Sequence, residues 1–152
     1  METKAKRIHG RVRENTPDKS NRRIDYKIIK NIRKYRDYSE GEISVRLEEL
    51  RKEWDIEKTL EVNASALSII GIFMAAVSSK KWLILPGVVT AFLLQHGIQG
   101  WCPPLPLFRA LGIRTRREID EEMYALKLLR GDFNDLTVSS GADEIVDHLR
   151  KK

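Results

Sequence analysis

Two long runs without charge, separated by one pair of lysines, constrain this 152-residue chain more than any other feature. Residues 62–79 contain no ionisable side chain, and residues 82–101 contain a single one, His96. As helices, at about 1.5 Å per residue, the two runs extend roughly 27 and 30 Å, which matches the hydrocarbon thickness of a bilayer. The sequence therefore predicts two transmembrane helices joined by a tight turn at Lys80 and Lys81.

The alternative is a soluble helical bundle in which this hairpin forms the core. A bundle helix in water keeps a polar face, whereas residues 69–77 are apolar or small on every side. Trp82 and Trp101 stand at the two ends of the second run, where tryptophans of membrane helices meet the interface. Pro86 lies within the first turns, where a helix tolerates proline. These features favour the membrane.

Basic residues flank the hairpin on both outer sides. The turn at Lys80 and Lys81 is so short that both termini lie on one side of the membrane. Lysines and arginines near the spans favour the cytoplasmic side. Against the two lysines of the turn, the flanks offer Arg46, Arg51, Lys52, Lys58, Arg109, Arg114, Arg116 and Arg117. We therefore expect a cytoplasmic (inner) membrane protein with both termini in the cytoplasm. Residues 1–10 lack the apolar core of a secretory signal, so the amino terminus is expected to be retained.

The region before the hairpin, residues 1–61, is expected to be cytoplasmic, basic and helical. Thr16 and Pro17 form a helix start signal, because threonine caps free amides and proline fits the first helical position. Ser39 and Glu42 have the spacing of a capping box, which opens a second helix. Nothing in the sequence requires that helix to stop before the first span. The expected helix bounds are about 17–38 and 40–61.

The region after the hairpin, residues 102–152, is expected to leave the membrane through an irregular proline-rich segment. Thr115 and Glu118 form another capping box, which predicts an amphipathic helix over about 116–130 with Gly131 as its stop. The polar tail carries a further short helical pattern near residues 143–149. The predicted fold class is therefore all-α, a membrane protein with an antiparallel two-helix transmembrane hairpin flanked by amphipathic cytoplasmic helices.

Small residues line one face of the first predicted span, at spacings of four, three, four and four. Such a face lets another helix approach closely and gain van der Waals contact. The neighbour is either the second span or a second copy of the chain, and we expect both in a homodimer. The face consists of Ala64, Ser68, Gly71, Ala75 and Ser79.

Polar side chains gather near the predicted cytoplasmic end of the second span. An ionisable residue in a span, here His96, raises the question of a functional site. One reading is a redox-sensitive or sulfur-carrying thiol with His96 favouring the thiolate, or a metal site shared across a dimer. The simpler reading, which we favour, is that these groups bond one another and pin the helix ends. The candidate polar and thiol cluster is Cys102, His96, Gln95, Gln99 and Asn63.

One cysteine excludes an internal disulfide, and one cysteine with one span histidine falls short of a full metal-ligand set. We predict no metal and no cofactor. The net charge of +6 and the tyrosines of the basic amino-terminal helix fit nucleic acid or anionic lipid, and a position beside the membrane favours lipid. Asp120, Glu121 and Glu122 are read as one solvated face with the neighbouring basic residues.

The end of the second run resembles a known family. Residues 95–115 carry a Gly-x-Cys-Pro motif and then Leu-Gly-Ile and a threonine, with the matching residues Gly100, Cys102, Pro103, Leu111, Gly112, Ile113 and Thr115. This is similar to the closing signature of the YgaP-like inner membrane transmembrane domain family, over about residues 54–117. The resemblance implies a membrane hairpin, dimeric, of undefined biochemical role. Some members carry a rhodanese domain, for which this chain has no strand-rich segment.

The sequence contains no phosphate-binding glycine loop, nucleophile elbow, CxxC pair or HExxH helix. We therefore expect a non-enzymatic, membrane-anchored scaffold or interaction module that dimerises through the hairpin and presents cytoplasmic helices to a protein partner. The alternative is a thiol-dependent component of sulfur or redox metabolism that acts through Cys102.

Overall fold

A computed structural model describes residues 10–134 and 141–151 of the chain, and the regular structure of these residues is helical. The predicted all-α class is therefore confirmed. The helices are α1 (Arg11–Glu14), α2 (Asp18–Tyr35), α3 (Glu40–Lys52), α4 (Ile56–Val77), α5 (Ile84–Gln99), α6 (Leu105–Ala110), α7 (Arg116–Arg130) and α8 (Ala142–Lys151). The expectations for residues 1–9 and for the tail at 135–140 lie outside the described residues.

The predicted hairpin is the pair α4 and α5, which pack along each other and are joined by a 3-10 turn at Lys80–Leu83. Within the described residues, two helical stretches are long and apolar enough to cross a membrane, one ending at Val77 and the other at Gln99. Few of their residues are buried. The helix pair thus has the length, composition and outward-facing surface that a bilayer would require.

Both expected helices before the hairpin form, as Asp18–Tyr35 and Glu40–Lys52 instead of about 17–38 and 40–61. Ser39 caps α3 through the reciprocal bonds with Glu42, as the capping box predicts. That helix ends at Lys52, and the expectation of a helix over 40–61 is wrong because the backbone is extended at Glu53 and Asp55. The Asp55 carboxylate accepts a hydrogen bond from the Lys58 amide at 2.8 Å, which starts α4 as a new helix.

The first of these helices begins at Asp18, one residue after the expected start at Pro17. Thr16 is buried, and its hydroxyl donates to the Val12 carbonyl at 2.7 Å, so it closes the turn after α1. The segment after the hairpin is more ordered than expected, because α6 forms within the proline-rich exit. Pro106 lies in the first turn of α6, where its missing amide hydrogen is not needed.

The chain divides into two compact units. The described part of the first unit comprises residues 10–27 and 54–119, and it contains the hairpin. A small apolar core lies where α4 begins and α5 ends, and Phe108 and Ile113 also pack against it. A backbone hydrogen bond of 2.8 Å from Ile56 to the Arg114 carbonyl ties the start of α4 to the segment before α7. The core residues are Val12, Ile56, Leu60, Cys102 and Leu105.

The described part of the second unit comprises residues 28–53, 120–134 and 141–151. It contains a carboxylate, Glu122, that is fully buried and accepts hydrogen bonds from Asn31 at 3.0 Å and from Arg46 at 3.0 and 3.1 Å. The reading of Glu122 as part of a solvated face is therefore wrong. The prediction considered only the basic residues close to Glu122 on the same helix. The actual partner, Arg46, lies 76 residues away in the sequence.

Candidate functional site: the open end of the hairpin

We call the end of the hairpin opposite the 3-10 turn the open end. There α4 begins, α5 ends, and the predicted polar and thiol cluster lies. Cys102 is 2% exposed and belongs to the apolar core. Burial raises the pKa of its thiol, and a hydrogen bond involving the Leu105 backbone offsets that only in part. The sulfur is therefore held as a neutral thiol, which packs as a small apolar group.

The other members of the predicted cluster have partners close to them in sequence. Asn63 donates to the Thr59 carbonyl at 2.8 Å, one turn back in α4. Gln95 donates to the Gln99 side chain at 3.4 Å, along one face of α5. These bonds stay within single helices and do not join α4 to α5.

The structure also separates His96 from the thiol. Cys102 and Asn63 line one apolar groove of about 280 Å³, together with Phe92 and Leu93. His96 lines a different, charged cavity with Arg11. Among the described residues, no group of three or more histidine, cysteine or acidic side chains could hold a metal ion. The open end thus offers two separate cavities, an apolar groove and a second cavity whose lining includes charged side chains.

The last carbonyls of α5 are capped by the side chains of Arg11, in α1, and of Asn15, directly after it. Arg11 donates through Nη1 to the carbonyls of Gly97 at 3.2 Å and Ile98 at 2.6 Å. Asn15 donates to the Gln99 carbonyl at 3.2 Å. The final turn of a helix leaves its carbonyls without helical partners, and a nearby cation also complements the helix dipole. Residues 11–15 therefore complete the end of α5.

Gly100 of the Gly-x-Cys-Pro motif makes this capping possible. Its φ of +71° is left-handed, and its amide bonds the His96 carbonyl at 2.7 Å, which ends α5. A Cβ at this position would lie 2.5 Å from the Arg11 Cβ. A side chain here would therefore be strained in its backbone and would collide with α1.

A buried ion pair joins α6 to α7 at the open end. Arg109 is 1% exposed and Glu118 is 2% exposed, and two nitrogens of the guanidinium each lie 2.7 Å from a carboxylate oxygen. The remaining donors of Arg109 bond the Thr16 hydroxyl at 3.1 Å, the Asn21 side chain at 2.9 Å and the Ile113 carbonyl at 3.0 Å. Every nitrogen of the guanidinium thus has a partner, as a buried charge requires.

Glu118 is the centre of this arrangement. Its carboxylate also bonds Arg13 at 3.0 Å and accepts from the Thr115 amide at 2.8 Å, while the Thr115 hydroxyl accepts from the Glu118 amide at 3.2 Å. Arg13 pairs in addition with Asp25. Burial alone would raise the pKa of Glu118, but its bonds to Arg109 and the other donors outweigh this and lower it. The predicted capping box is therefore present, within a larger charged cluster.

Sequence reasoning treated Arg109 only as a flanking cation. Its partners Thr16 and Asn21 lie 93 and 88 residues away in the sequence, so no local spacing connects them. One partner of Arg109 could have been found from the sequence. The Thr115–Glu118 capping box located Glu118, which is nine residues from Arg109.

The small-residue face of the first span lies against α5. From Ala64 to Val77, the residues that are not exposed are Ala64, Ser68, Gly71, Met74 and Ala75. At Gly71 a Cβ would lie 2.5 Å from Cδ of Pro86, which is backbone-linked and cannot move aside. Ser79, the last residue of the predicted face, is exposed and caps the 3-10 turn by accepting from the Lys81 amide at 3.4 Å.

Comparison of the chain with protein-family models, with curated proteins and with solved structures gives no match. The resemblance to the YgaP-like transmembrane domain family therefore stays an expectation from the motif residues.

Proposed function

We propose that this chain is a membrane-anchored scaffold or interaction module of the cytoplasmic (inner) membrane, in which α4 and α5 span the bilayer and the other helices lie in the cytoplasm. The observation that carries the proposal is the outward orientation of large apolar side chains along both helices. The most exposed of them, each between 63% and 69% exposed, are Ile69, Phe73, Val77, Ile84, Leu94 and Ile98.

Water is a poor solvent for such a surface. Soluble monomers rarely expose a contiguous apolar patch larger than a few hundred Å². These side chains lie on two adjacent helices and are accompanied by Ile70, Ile72 and Leu83, each more than half exposed. In hydrocarbon the same surface carries no penalty, and the helical backbone satisfies its own hydrogen bonds.

The proposal includes a homodimer. Since the small-residue face lies against α5, a second copy would meet the exposed sides of the hairpin, where Ile69 and Phe73 point outward. In this arrangement the hairpin would hold two copies side by side, and the cytoplasmic helices of each copy would present a surface to a protein partner.

The thiol-dependent alternative draws little support from the surroundings of Cys102. A reactive thiol is accessible and has a lowered pKa, whereas Cys102 is 2% exposed and burial raises its pKa. A Cys102→Ser variant separates the two functions, because a scaffold keeps its dimer and its partner when the sulfur is replaced.

Membrane insertion is tested by expressing the chain and extracting the membrane fraction with alkaline carbonate. The protein should stay in the pellet, and cysteines placed at Lys80 and Asp18 in a Cys102→Ala background should react with an impermeant maleimide from opposite sides. Recovery of a monodisperse protein in detergent-free buffer would exclude the proposal.

Dimerisation is tested by disulfide crosslinking in membranes, again without Cys102. A cysteine at Phe73 should crosslink two copies. A cysteine at Ala75, on the side of α4 that lies against α5, is the matched control and should not. Equal crosslinking at both positions, or at neither, would contradict a dimer formed through the exposed side of α4.

A further inference from the structure

The short helix α6 carries its charge on the inner side and exposes leucines on the outer side. Arg109 and Leu105 are buried, and Arg109 pairs with Glu118. Leu107 in α6 and Leu111 directly after it lie one helical turn apart and are 61% and 66% exposed. A helix surrounded by water distributes these residue types in the opposite way, because apolar side chains gain free energy when they leave water. The outer side of α6 therefore suits an apolar neighbour.

This leucine surface, Leu107 and Leu111, adjoins the apolar surface of the hairpin. Helix α6 contacts α4. Phe108 of α6 lines the apolar groove of about 280 Å³ together with Leu67 of α4 and Phe92 of α5. Leu67 and Phe92 are themselves exposed on the hairpin. The groove thus connects α6 with the part of the hairpin that the proposed function places in lipid.

Two exposed tryptophans stand at the same end of the hairpin. Trp101 follows the last turn of α5, and Trp54 precedes the start of α4. The Lys58 amine lies 4.9 Å from the centre of the Trp54 ring. Tryptophans of membrane proteins concentrate at the level of the lipid headgroups. In an inserted hairpin the headgroup layer therefore falls where α4 begins and α5 ends, which is also where α6 lies.

Cations border the leucine surface. Arg23 of α2 donates to the carbonyl of Ala110, the last residue of α6, at 3.2 Å. Lys19 and Lys27 stand one helical turn before and after Arg23, and all three cations are exposed. Over residues 18–27 the exposed carboxylate is that of Asp18. Exposed apolar side chains bordered by cations complement an anionic bilayer, which accepts the apolar groups at its acyl boundary and attracts the cations.

We propose that α6 rests on the cytoplasmic surface of an anionic bilayer. Leu107 and Leu111 insert at the boundary between headgroups and acyl chains, and Lys19, Arg23 and Lys27 lie against the phosphates. The inference rests on the proposed membrane insertion of α4 and α5, and it adds a lipid contact outside the two spans. Interfacial helices bury their apolar side by about 5–10 Å, which matches side chains that reach below the headgroups without crossing the membrane.

The first test measures the depth of spin labels on the full-length protein in vesicles of phosphatidylcholine and phosphatidylglycerol in equal parts. Labels are attached to Leu107→Cys and Leu111→Cys in a Cys102→Ala background. Both should relax faster with oxygen, which concentrates in lipid, than with a water-soluble nickel complex. The control is Leu128→Cys on α7, because Leu128 is an equally exposed leucine at 67% and should show the reverse. A label at Phe73→Cys reports on the hairpin in the same vesicles.

The combination of labels separates the two proposals. Lipid at Phe73 with water at Leu107 and Leu111 would keep the membrane function and overturn this inference, and the leucine surface would then belong to a protein partner. Lipid at Leu128 as well as at Leu107 would also overturn it, because no particular surface would be selected. Water at Phe73 would overturn the membrane function and the inference with it.

The second test removes the cations. The double variant Lys19→Gln, Lys27→Gln should lower the preference of the protein for spin-labelled phosphatidylglycerol over phosphatidylcholine by about fivefold for each cation, because a cation beside an anionic membrane contributes a factor of that order. The middle cation is left unchanged because it bonds the end of α6. The control is Arg33→Gln, Arg36→Gln, which removes the same charge from exposed positions in the second unit. Equal losses in the two double variants, or no loss in either, would overturn a defined anionic contact.

Discussion

Along α4 and α5 the apolar side chains face outward, whereas at the open end of the same hairpin the charged side chains face inward. Phe73 is 63% exposed, while Arg109 and Glu118 are almost completely enclosed. The exposed apolar surface of the hairpin supports the proposed membrane insertion, whereas the open end has the satisfied ion pairs of a folded interior. Under that proposal, the boundary between lipid and water falls near Gly100, where α5 ends.

The largest effect is expected from removing one side of the buried ion pair. Arg109→Ala would leave the Glu118 carboxylate buried with fewer partners, and such a change costs about 3–5 kcal/mol. The free energy of unfolding, measured in detergent by denaturant titration, should fall by that amount. The exposed Arg33→Ala is the matched control and should change it by less than about 0.5 kcal/mol. A loss below about 1 kcal/mol in Arg109→Ala would show that the charged interior is not structural.

The next effect is expected at Gly100, where the two regions meet. Gly100→Ala should cost about 2–4 kcal/mol, because a left-handed backbone penalises an L-residue and the new Cβ would overlap Arg11. Gly112→Ala is the control, since Gly112 also has a positive φ, of +90°, but has open space around it. Thermal unfolding of the two variants should show how much of the loss at Gly100 comes from the collision with Arg11 and how much from the left-handed backbone, since Gly112→Ala has only the second effect. Equal losses would contradict the close approach of α1.

A smaller effect is expected within the hairpin itself. Gly71→Ala should cost about 1–3 kcal/mol, because its Cβ must push Pro86 and α5 away. Gly87→Ala has nothing within 4 Å and should be neutral or slightly stabilising, since alanine favours helix. Unfolding of both variants in detergent gives the comparison. If Gly71→Ala were as stable as Gly87→Ala, the two helices would not be in contact at this point.

The smallest effect is a change in pH dependence. The folded pKa of Glu118 lies below its ordinary value near 4.5, so its bonds stabilise the folded state above that pH, and this contribution is lost as the pH falls through the lowered value. The free energy of unfolding should therefore decrease on acidification below about 4.5, and Glu118→Gln should reduce that slope. The exposed Glu61→Gln should leave the slope unchanged. An identical slope in Glu118→Gln would remove Glu118 from the acid response.

Local patterns in the sequence predict much of this fold. The uncharged runs gave the two hairpin helices, and the capping boxes at Ser39 and Thr115 gave the starts of α3 and α7 to the residue. Asp55 was an available N-cap signal for the break before α4, but the continuous helical pattern around it masked the break. Local sequence signals therefore predict the presence of helices well, and breaks between consecutive helices less well.

The charged interior could not be predicted in the same way. Whether an arginine is buried depends on what it meets in three dimensions, and Arg109 meets Asn21 across 88 residues of sequence. The same holds for Cys102 and His96, which are near each other in the chain but line different cavities. Their proximity in sequence predicted one polar cluster, but in the structure its members line two different cavities.

The bonds from Arg11 and Asn15 to the end of α5 have a consequence for biosynthesis. Their acceptors lie 84 to 87 residues later in the chain, so the donors leave the ribosome well before the carbonyls that they cap. During that interval Arg11 and Asn15 cannot make these bonds, and they can dock only once α5 has been synthesised. Docking of residues 11–15 against this end therefore has to follow the synthesis of α5.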